Sequence, residues 1–512
     1  MAHARLLKSS LIVSAGTMLS RVLGLVRDVV MANLLGATNS ADAFYVAFKI
    51  PNFFRRLFAE GAFAQAFVPV LAEYREQGGL AAVQALVNRV VALLGVSLFA
   101  LCALAWLAAP GIAWVFASGF HQYPDKLDLT AELIRWTFPY LGFISLVAFA
   151  GGILNTYGRY AVPALTPVLL NLSLIGAALW FTPYAESPAH ALAFGVLLAG
   201  LVQLLFQVPF LWRLSLLPRP VWDTRHPGVR RILWLMAPAM LAVSVSQINL
   251  LLDTVLASWL EGGSVAWLYY SDRLTELPLG VIGIAIGTVV LPSLSALSAQ
   301  DDRQAFRDSL AWAVRMVLLL GIPAAVALWV LATPIISTLF FHGAMTPYDV
   351  MQSTASLQAY TLGLTAFMLI KVLAPGFFGR QDMKTPVRIA TTALVANMVF
   401  NLILIWPLAH VGLALATSLS AWLNAGLLAW MLTRQGYFAP LQLVRHRRTL
   451  AILASAVVMA ACLAWLAPAA EWWVMADLRQ RILQLSALIA VGLLVYLASL
   501  GLLGWRPRDL TR

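Results

Sequence analysis

Long apolar segments recur along the whole chain and are separated by short stretches rich in Gly, Pro and charged residues. A helix of about 20 apolar residues matches the roughly 30 Å hydrocarbon core of a bilayer. Runs that alternate apolar and polar residues, as membrane-spanning strands do, do not occur in the sequence, so the segments are predicted to be helices. The pattern predicts fourteen membrane-spanning helices, at residues 7–35, 42–72, 83–109, 130–155, 160–182, 189–212, 232–260, 264–297, 310–340, 350–377, 386–408, 410–433, 449–468 and 482–505.

Composition supports an all-α polytopic membrane protein. Hydrophobic residues make up 61% of the chain and charged residues 11%, whereas a soluble domain carries roughly 25% charged residues. The N-terminal sequence MAHARLLKSSLIVSAG resembles a signal peptide, but no cleavage site follows its apolar run, so we expect an uncleaved first span. Cys102 and Cys462 lie within apolar spans and the histidines are scattered, which indicates neither a disulfide framework nor a Cys/His metal site.

Basic residues fall in alternate connections of the predicted topology. The opposite connections, such as TPYAESPAH and LEGGS, are nearly free of Lys and Arg. Because positively charged loops stay in the cytoplasm, both termini are predicted to be cytoplasmic. The net charge of +12 then reflects topology and attraction to anionic lipid, and does not indicate nucleic-acid binding. The basic residues that set this orientation are Arg5, Lys8, Arg213, Arg219, Arg225, Arg230, Arg231, Arg303, Arg307, Arg380, Lys384, Arg388, Arg434, Arg445, Arg447, Arg448, Arg506, Arg508 and Arg512.

Segments from the two halves of the chain resemble one another at a nearly constant offset, the one that relates Ala43 to Ala266. ADAFYVAFKIPNFF in span two corresponds to SVAWLYYSDRLTEL in span eight, and LAAPGIAWVFASG corresponds to LATPIISTLFFHG. YGRYAVP and FGRQDMKTP occupy equivalent turns after spans four and ten. Because six is an even number, two six-helix lobes enter the membrane in the same sense and should be related by a pseudo-two-fold axis along the membrane normal. The predicted domains are an N-lobe at 1–225, a C-lobe at 226–440 and two C-terminal helices at 441–512.

Charged residues within the spans are concentrated in spans one, two, seven and eight, which are equivalent across the repeat. Each costs about 2.5–3.5 kcal/mol at the centre of a membrane helix, so these residues should face a bundle interior or an aqueous cavity. Asp42, Lys49 and Arg56 recur every seven residues, which places them on one helix face. The candidates are Arg21, Arg27 and Asp28 in span one; Asp42, Lys49, Arg55, Arg56 and Glu60 in span two; Asp253 in span seven; Asp272, Arg273 and Glu276 in span eight; and Lys371 in span ten.

Two interpretations of these charges remain open from the sequence. In the first, ion pairs such as Arg56 with Glu60 lock the helices together. In the second, the arginines form a site for phosphate or carboxylate, because a guanidinium group stays charged and donates two parallel hydrogen bonds. The number of arginines favours the second interpretation, with the remaining charged residues of spans one, two, eight and ten supporting the cavity.

Asp253 lies in the middle of span seven, in NLLLDTVLASW, with no cation near it in sequence. An unpaired carboxylate at that depth is costly, so a partner is expected. Asn397 and Asn401 share one face of span eleven, and Thr417 lies about two turns into span twelve. These four residues offer oxygen ligands and form a hypothetical Na⁺ site. In the alternative, Asp253 is protonated or hydrogen-bonded to the asparagines.

The sequence contains no Walker loop, nucleophile elbow or HExxH motif, and no extramembrane segment is long enough for an enzyme domain. These absences indicate a transporter rather than an enzyme. No organic cofactor is expected. The energy source would be an ion gradient or the membrane potential.

Four long motifs resemble the MurJ (MviN) lipid II flippases, a family of the multidrug/oligosaccharidyl-lipid/polysaccharide exporter superfamily. The resemblance covers essentially the whole chain, including the two C-terminal spans. The motifs are SRVLGLVRDVVMANLLGA, ADAFYVAFKIPNFFRRLFAEGAFAQAFVPVLAEY, GSVAWLYYSDRLTELPLGVIGIAIGTVVLPSLS and KVLAPGFFGRQDMKTPV.

The resemblance implies a bacterial inner-membrane protein that moves lipid II from the cytoplasmic to the periplasmic leaflet by alternating access. It implies a cationic central cavity between two lobes and a groove for the lipid tail formed by spans thirteen and fourteen. Lipid II and inner-membrane lipids are the expected partners, with other cell-wall synthesis proteins as further candidates. A polar side chain found in some members falls on Ala266, so its role does not carry over. The implied substrate-binding residues are Arg21, Arg27, Arg55, Arg273 and Asp42.

Two alternative functions follow from the same pattern. One is an exporter of drugs or of another lipid-linked oligosaccharide within the superfamily, although a cationic-drug exporter should carry buried acids without an arginine cluster. The other is a membrane-embedded glycosyltransferase. That enzyme would need a catalytic carboxylate in a substantial outer loop, and the predicted outer loops are short.

Overall fold

A computed structural model describes residues 2–56, 63–439 and 447–506, with the backbone alone for residues 2–12, 238–239, 241–246 and 284. Throughout these ranges the regular elements are helices. Ten helical segments among the described residues are long and apolar enough to cross a membrane. They are Phe63–Leu107, Pro124–Thr156, Ala161–Tyr184, Pro188–Arg213, Ser264–Ala299, Arg303–Val330, Pro347–Phe378, Lys384–Arg434, Arg447–Leu466 and Leu478–Leu502.

The ten segments coincide with predicted spans three to six and eight to fourteen, the eleventh and twelfth spans sharing Lys384–Arg434. Spans one, two and seven fall on helices Ala2–Leu35, Asn39–Arg55 and Pro227–Ser258. Asn39–Arg55 has only 17 residues and carries Asp42, Lys49 and Arg55. The part of span two at residues 57–62, including Glu60, lies outside the described residues.

Backbone breaks mark two of the predicted span boundaries. Gly79, with φ 64° and ψ −161°, interrupts Phe63–Leu107 between spans two and three. Ala409, with φ 48° and ψ −129°, interrupts Lys384–Arg434 where the sequence separates spans eleven and twelve. At the second break the chain folds back closely, because a Cβ on Gly412 would lie 2.2 Å from the Leu404 carbonyl oxygen. Only glycine fits at that position.

The chain divides into two compact units, and the first extends to Ala266. Its core packs Phe67 and Val87 of the third helix against Phe149 and Ile232. Pro227–Ser258, which the predicted boundary at 225/226 assigns to the C-lobe, therefore packs within the first unit. The helices of this unit are α1 (Ala2–Leu35), α2 (Asn39–Arg55), α3 (Phe63–Leu107), α4 (Ala109–Phe116), α5 (Pro124–Thr137), α6 (Tyr140–Thr156), α7 (Ala161–Gly176), α8 (Pro188–Arg213), α9 (Pro227–Ser258) and the start of α10 (Ser264–Pro278).

The second unit begins at Trp267. One of its cores joins Leu294, Leu310, Leu364 and Leu432, and another packs the C-terminal helices against Leu319 and neighbouring side chains. Its helices are the remainder of α10, then α11 (Ile284–Ala299), α12 (Arg303–Val330), α13 (Ala332–Leu339), α14 (Pro347–Leu373), α15 (Pro375–Phe378), α16 (Lys384–Arg434), α17 (Arg447–Leu466), α18 (Ala470–Met475) and α19 (Leu478–Leu502).

Helix boundaries in the two halves of the chain recur at the offset seen in the sequence. Both ends of the eight-residue helices α4 and α13 are related by the offset that relates Ala43 to Ala266. The same offset relates the first residues of α5 and α14, and those of α7 and α16. Proline starts both α5 and α14, where its fixed φ suits the first helical turn and its missing N–H is not needed. The recurrence agrees with the duplication inferred from the sequence.

Candidate functional site

Arg27 of α1 is buried in a polar contact with α7. Its Nε and Nη2 atoms donate to Asp28 Oδ1 at 3.0 and 2.6 Å, and Nη1 donates to Asn171 Oδ1 at 3.0 Å. Asn171 Nδ2 in turn donates to the Ser20 carbonyl oxygen at 2.8 Å. These bonds connect α1 to α7 and hold the guanidinium in one orientation. Arg27 thus pairs with an acid of its own helix and joins α1 to α7 through its hydrogen bond to Asn171.

Arg21 lies about two turns before Arg27 on α1 and is half-buried. Its side chain makes no hydrogen bond or ion pair with the part of the chain that the structure describes. A guanidinium group in this state keeps its donors for an anionic ligand. Of the two α1 arginines, Arg21 is the one whose donors are not used by the described residues, and its role as a substrate-binding residue stays a prediction.

Asp42, near the start of α2, is almost completely buried, and protein donors surround its carboxylate. Lys126 Nζ lies 2.8 Å from Oδ2, and the Gly263 N–H donates to the same oxygen at 2.7 Å. The Ala266 N–H donates to Oδ1 at 3.0 Å. Lys126 is itself buried, with Nζ 4.0 Å from the centre of the Phe120 ring. Protein groups thus donate to both oxygens of this carboxylate in the present arrangement.

The same contact caps the start of α10. The first N–H groups of a helix have no partner within the helix and carry partial positive charge, which a carboxylate stabilises. Gly263, directly before α10, has φ 99°, a conformation in which glycine avoids the strain of a side chain. Asp42 therefore ties α2 both to α5, through Lys126, and to the beginning of α10.

The polar stripe on α2 continues toward α9. Lys49 Nζ donates to Thr254 Oγ1 at 3.1 Å, and Arg56 Nη1 donates to Gln247 Oε1 at 3.4 Å. The sequence predicts that Asp42, Lys49 and Arg56 share one helix face. All three side chains do point the same way, toward residues 247–266. Arg55 lies off this stripe, is half-buried, and donates from Nε to Asn52 Oδ1 at 3.2 Å.

The predicted site residues of the second unit are less buried. Arg273 Nη1 lies 2.6 Å from Glu276 Oε2, one turn further along α10, and both side chains are partly exposed. Asp272 is half-buried beside them, and Lys371 on α14 is exposed. A partly exposed i,i+3 ion pair contributes little stability, so loss of the Glu276 pair alone would cost little.

The four residues of the hypothetical sodium site are divided between the units. Asp253 is half-buried on α9 in the first unit, whereas the other three belong to α16 in the second. Asn401 Nδ2 donates to Asn397 Oδ1 at 2.9 Å, and Asn397 Nδ2 donates to Ser420 Oγ at 3.2 Å. Thr417 Oγ1 donates within its own helix to the Leu413 carbonyl. The asparagines and Ser420 form one buried polar chain, and a role in sodium binding stays a prediction.

The sequence analysis did not identify Lys126 or Asn171 as site residues. Lys126 falls in a segment that hydropathy assigns to a loop before span four, yet α5 begins at Pro124 and buries it. This proline was the available signal, because proline favours the first turn of a helix. Asn171 is an uncharged residue within an apolar span, and nothing in the sequence sets it apart as the partner of Arg27.

The fold resembles that of known membrane transporters. An inward-facing multidrug resistance MATE family transporter of the MOP superfamily matches with a TM-score of 0.68 at 16% identity, over 83% of this chain and 98% of that chain. A structure described as lipid II flippase MurJ in an inward closed conformation matches with a TM-score of 0.80 at 28% identity, over 98% of this chain and 100% of that chain. The chain therefore has the transporter fold of this superfamily.

Sequence comparison specifies the family. The family model for lipid II flippase MurJ matches residues 31–483. A probable lipid II flippase MurJ of Vibrio cholerae serotype O1 is 49% identical, over 99% of this chain and 98% of the relative. A lipid II flippase MurJ of Burkholderia cenocepacia is 40% identical, over 98% of both chains. The chain belongs to the MurJ lipid II flippase family, whose members are transporters and not catalytic enzymes.

Proposed function

We propose that this chain is a lipid II flippase of the bacterial inner membrane, moving the lipid-linked precursor from the cytoplasmic to the periplasmic leaflet by alternating access. The observation that carries the proposal is the match over almost the whole chain to relatives named for this activity. The similarity to a flippase structure in an inward closed conformation supports the same conclusion. Lipid II is accordingly the proposed substrate.

The proposed architecture has fourteen spans, with two six-helix lobes related by a pseudo-two-fold axis and two C-terminal helices beside them. Two observations support it: the overlap of every predicted span with a helix, and the recurrence of helix boundaries at one offset in the two halves of the chain. Both termini are placed in the cytoplasm, because the basic connections then lie inside.

The proposed binding groups for the head group are Arg21, Arg27, Arg55 and Arg273. A diphosphate and peptide carboxylates lose water when they enter a membrane protein, and arginine donors replace that hydration. The undecaprenyl tail stays in lipid and needs only an apolar groove, which α17 and α19 supply. An interior-negative potential favours outward movement of negative charge by about 2.3 kcal/mol per charge per 100 mV.

Asp42 has a different proposed role from the arginines. Because protein donors occupy both of its oxygens, it would act as a closing contact and not as a ligand for substrate. Outward opening would then require separation of Asp42 from the start of α10.

Complementation of a strain depleted of its own flippase tests the proposal. We expect Arg21→Ala and Arg273→Ala to abolish growth and to leave lipid II inaccessible to a membrane-impermeant probe at the outer leaflet, with normal amounts of protein in the membrane. Arg303→Ala is the matched control, because Arg303 is a largely exposed arginine outside the predicted site. Wild-type growth and lipid II exposure from both site variants would contradict the arginine site. Failure of the unaltered chain to complement would contradict the flippase function itself.

The sodium hypothesis is a separate proposal about coupling. Its support is the buried chain of Asn397, Asn401 and Ser420, whose carbonyl oxygens and hydroxyl are suited to a hard cation. We expect sodium, but not potassium, to raise the unfolding temperature of the purified protein, and Asp253→Ala to remove the effect. An equal response in Asp253→Ala would dismiss Asp253 as a ligand.

A further inference from the structure

Three side chains from two separate parts of the first unit converge at the start of α8. Glu132 lies on α5, Glu186 in the connection before α8, and His190 in the first turn of α8. One carboxylate oxygen of each glutamate and an imidazole nitrogen all lie within 4.8 Å of one another. None of these residues takes part in the arginine site or the polar contacts of Asp42.

The imidazole of His190 is oriented toward the two glutamates. Its Nδ1 atom lies 2.8 Å from Ser187 Oγ, which fixes the plane of the ring. Its Nε2 atom lies 3.4 Å from Glu132 Oε2 and 4.0 Å from Glu186 Oε2. Nε2 is shielded from solvent and makes no hydrogen bond within the described residues.

We propose that Glu132, Glu186 and His190 form a binding site for a divalent transition metal, with zinc as the preferred ion. Zinc binds histidine nitrogen and carboxylate oxygen in proteins, and a water molecule would complete a tetrahedron with these three ligands. The nitrogen ligand distinguishes this set from magnesium and calcium sites, which use oxygen alone. The hydrogen bond at Nδ1 matches the arrangement in which a second residue orients a metal-binding histidine.

The geometry requires a small adjustment for the metal. Bonds of about 2.0–2.2 Å in a tetrahedron place ligand atoms about 3.3–3.6 Å apart, closer than the widest separation in the present arrangement. Glu186 can supply the movement, because its side chain is 84% exposed. Glu132 and His190 already lie 3.4 Å apart, close to the required separation.

A bound zinc ion would join α5 to the beginning of α8 on the side that the charge distribution assigns to the periplasm. α5 also carries Lys126, the partner of Asp42. The metal would thus stabilise the helix that holds the Asp42 contact, and any ion that binds only the folded state raises stability. The proposal concerns metal binding and does not depend on the flippase function.

Zinc titration of the full-length, untagged protein in detergent, after treatment with a chelator, tests the site. We expect zinc to bind and to raise the unfolding temperature by a few degrees, and magnesium to have no such effect. Glu132→Gln and His190→Ala should each weaken zinc binding more than about 10-fold, and Ser187→Ala about 10-fold. Glu186→Gln alters an exposed side chain and should weaken zinc binding without lowering the stability of the metal-free protein.

Asp128→Asn is the matched control, because Asp128 is an exposed carboxylate on α5, one turn before Glu132. It should bind zinc as the wild type does. The proposal is overturned if zinc leaves the wild type unchanged. It is also overturned if Glu132→Gln, Glu186→Gln and His190→Ala all respond like Asp128→Asn, in which case the cluster is only an ion pair of a protonated histidine with glutamate.

Discussion

Asp42 is the residue whose surroundings best explain how a charge is tolerated deep in this protein. A lone carboxylate in a low-dielectric environment is strongly disfavoured, and one cation repays that cost only when the remaining lone pairs are also satisfied. Lys126 supplies the cation, and the Gly263 and Ala266 N–H groups supply the other donors. The Phe120 ring faces the ammonium group on another side and adds a favourable cation–π contact.

Removal of Lys126 should therefore destabilise the protein strongly. We expect Lys126→Met to lower the free energy of unfolding by about 3–5 kcal/mol, because it leaves the Asp42 carboxylate buried without a cation. The double variant with Asp42→Asn should lose less than the two single variants together, since neither partner then carries a charge. Unfolding of the purified protein, with the exposed Asp128→Asn as control, measures these differences; additive losses would show that the two side chains are not coupled.

At the scale of helices, a polar contact recurs at equivalent positions of the repeat with different chemistry. Lys126 on α5 and Asp349 on α14 are both the third residue of their helices, which themselves begin at equivalent positions. Lys126 contacts Asp42 on α2, whereas Asp349 Oδ1 accepts from Trp267 Nε1 on α10 at 2.8 Å. The first contact joins α2 to α5, which follows the short helix α4. The second joins α10 to α14, which follows the short helix α13. The helix arrangement is retained while the charge at the contact reverses.

Within the second unit, the C-terminal helices α17 and α19 are joined to the preceding helices by specific polar contacts as well as by apolar packing. Arg481, in the first turn of α19, donates from Nη1 to the carbonyl oxygens of Ser337 and Phe341, at the end of α13, at 3.1 and 3.0 Å. Tyr496 Oη donates to the Leu319 carbonyl of α12 at 2.7 Å. A cation at a helix C-terminus satisfies carbonyls that have no partner in the helix. The two helices thus have a structural role in addition to their proposed contact with the lipid tail.

Arg481→Ala tests the structural role. It leaves buried carbonyls without a donor, for which we expect a loss of about 1–3 kcal/mol in the free energy of unfolding. Arg479→Ala, close by on α19 and exposed, should change stability by less than about 0.5 kcal/mol. Both are measured by unfolding in detergent, together with the yield of folded protein. Equal stability of the two variants would contradict a structural role for the buried arginine.

For the molecule as a whole, hydropathy located the long helices, because a bilayer demands long apolar segments whatever their partners. It did not locate the start of α5 at Pro124, which precedes the predicted fourth span. Residues 408–410 show this well, since the boundary between two predicted spans coincides with the break at Ala409. The regular spacing of charges on α2 likewise predicted one polar face. Lys126 and His190 were missed because their partners, Asp42 and Glu132, lie on helices that are distant in sequence, and periodicity carries no information about such contacts.

The charge pattern predicts the orientation of the protein in the membrane, with the basic connections in the cytoplasm. Surface labelling tests this orientation. In a background of Cys102→Ser and Cys462→Ser, single cysteines are introduced at Glu186 and Arg303, whose side chains are 84% and 70% exposed. Because basic connections remain inside, we expect a membrane-impermeant maleimide to label Glu186→Cys in intact spheroplasts and Arg303→Cys only after permeabilisation. Both variants must first complement growth, so that the labelled protein is the active one. The reverse labelling pattern would invert the topology and place the proposed zinc site in the cytoplasm.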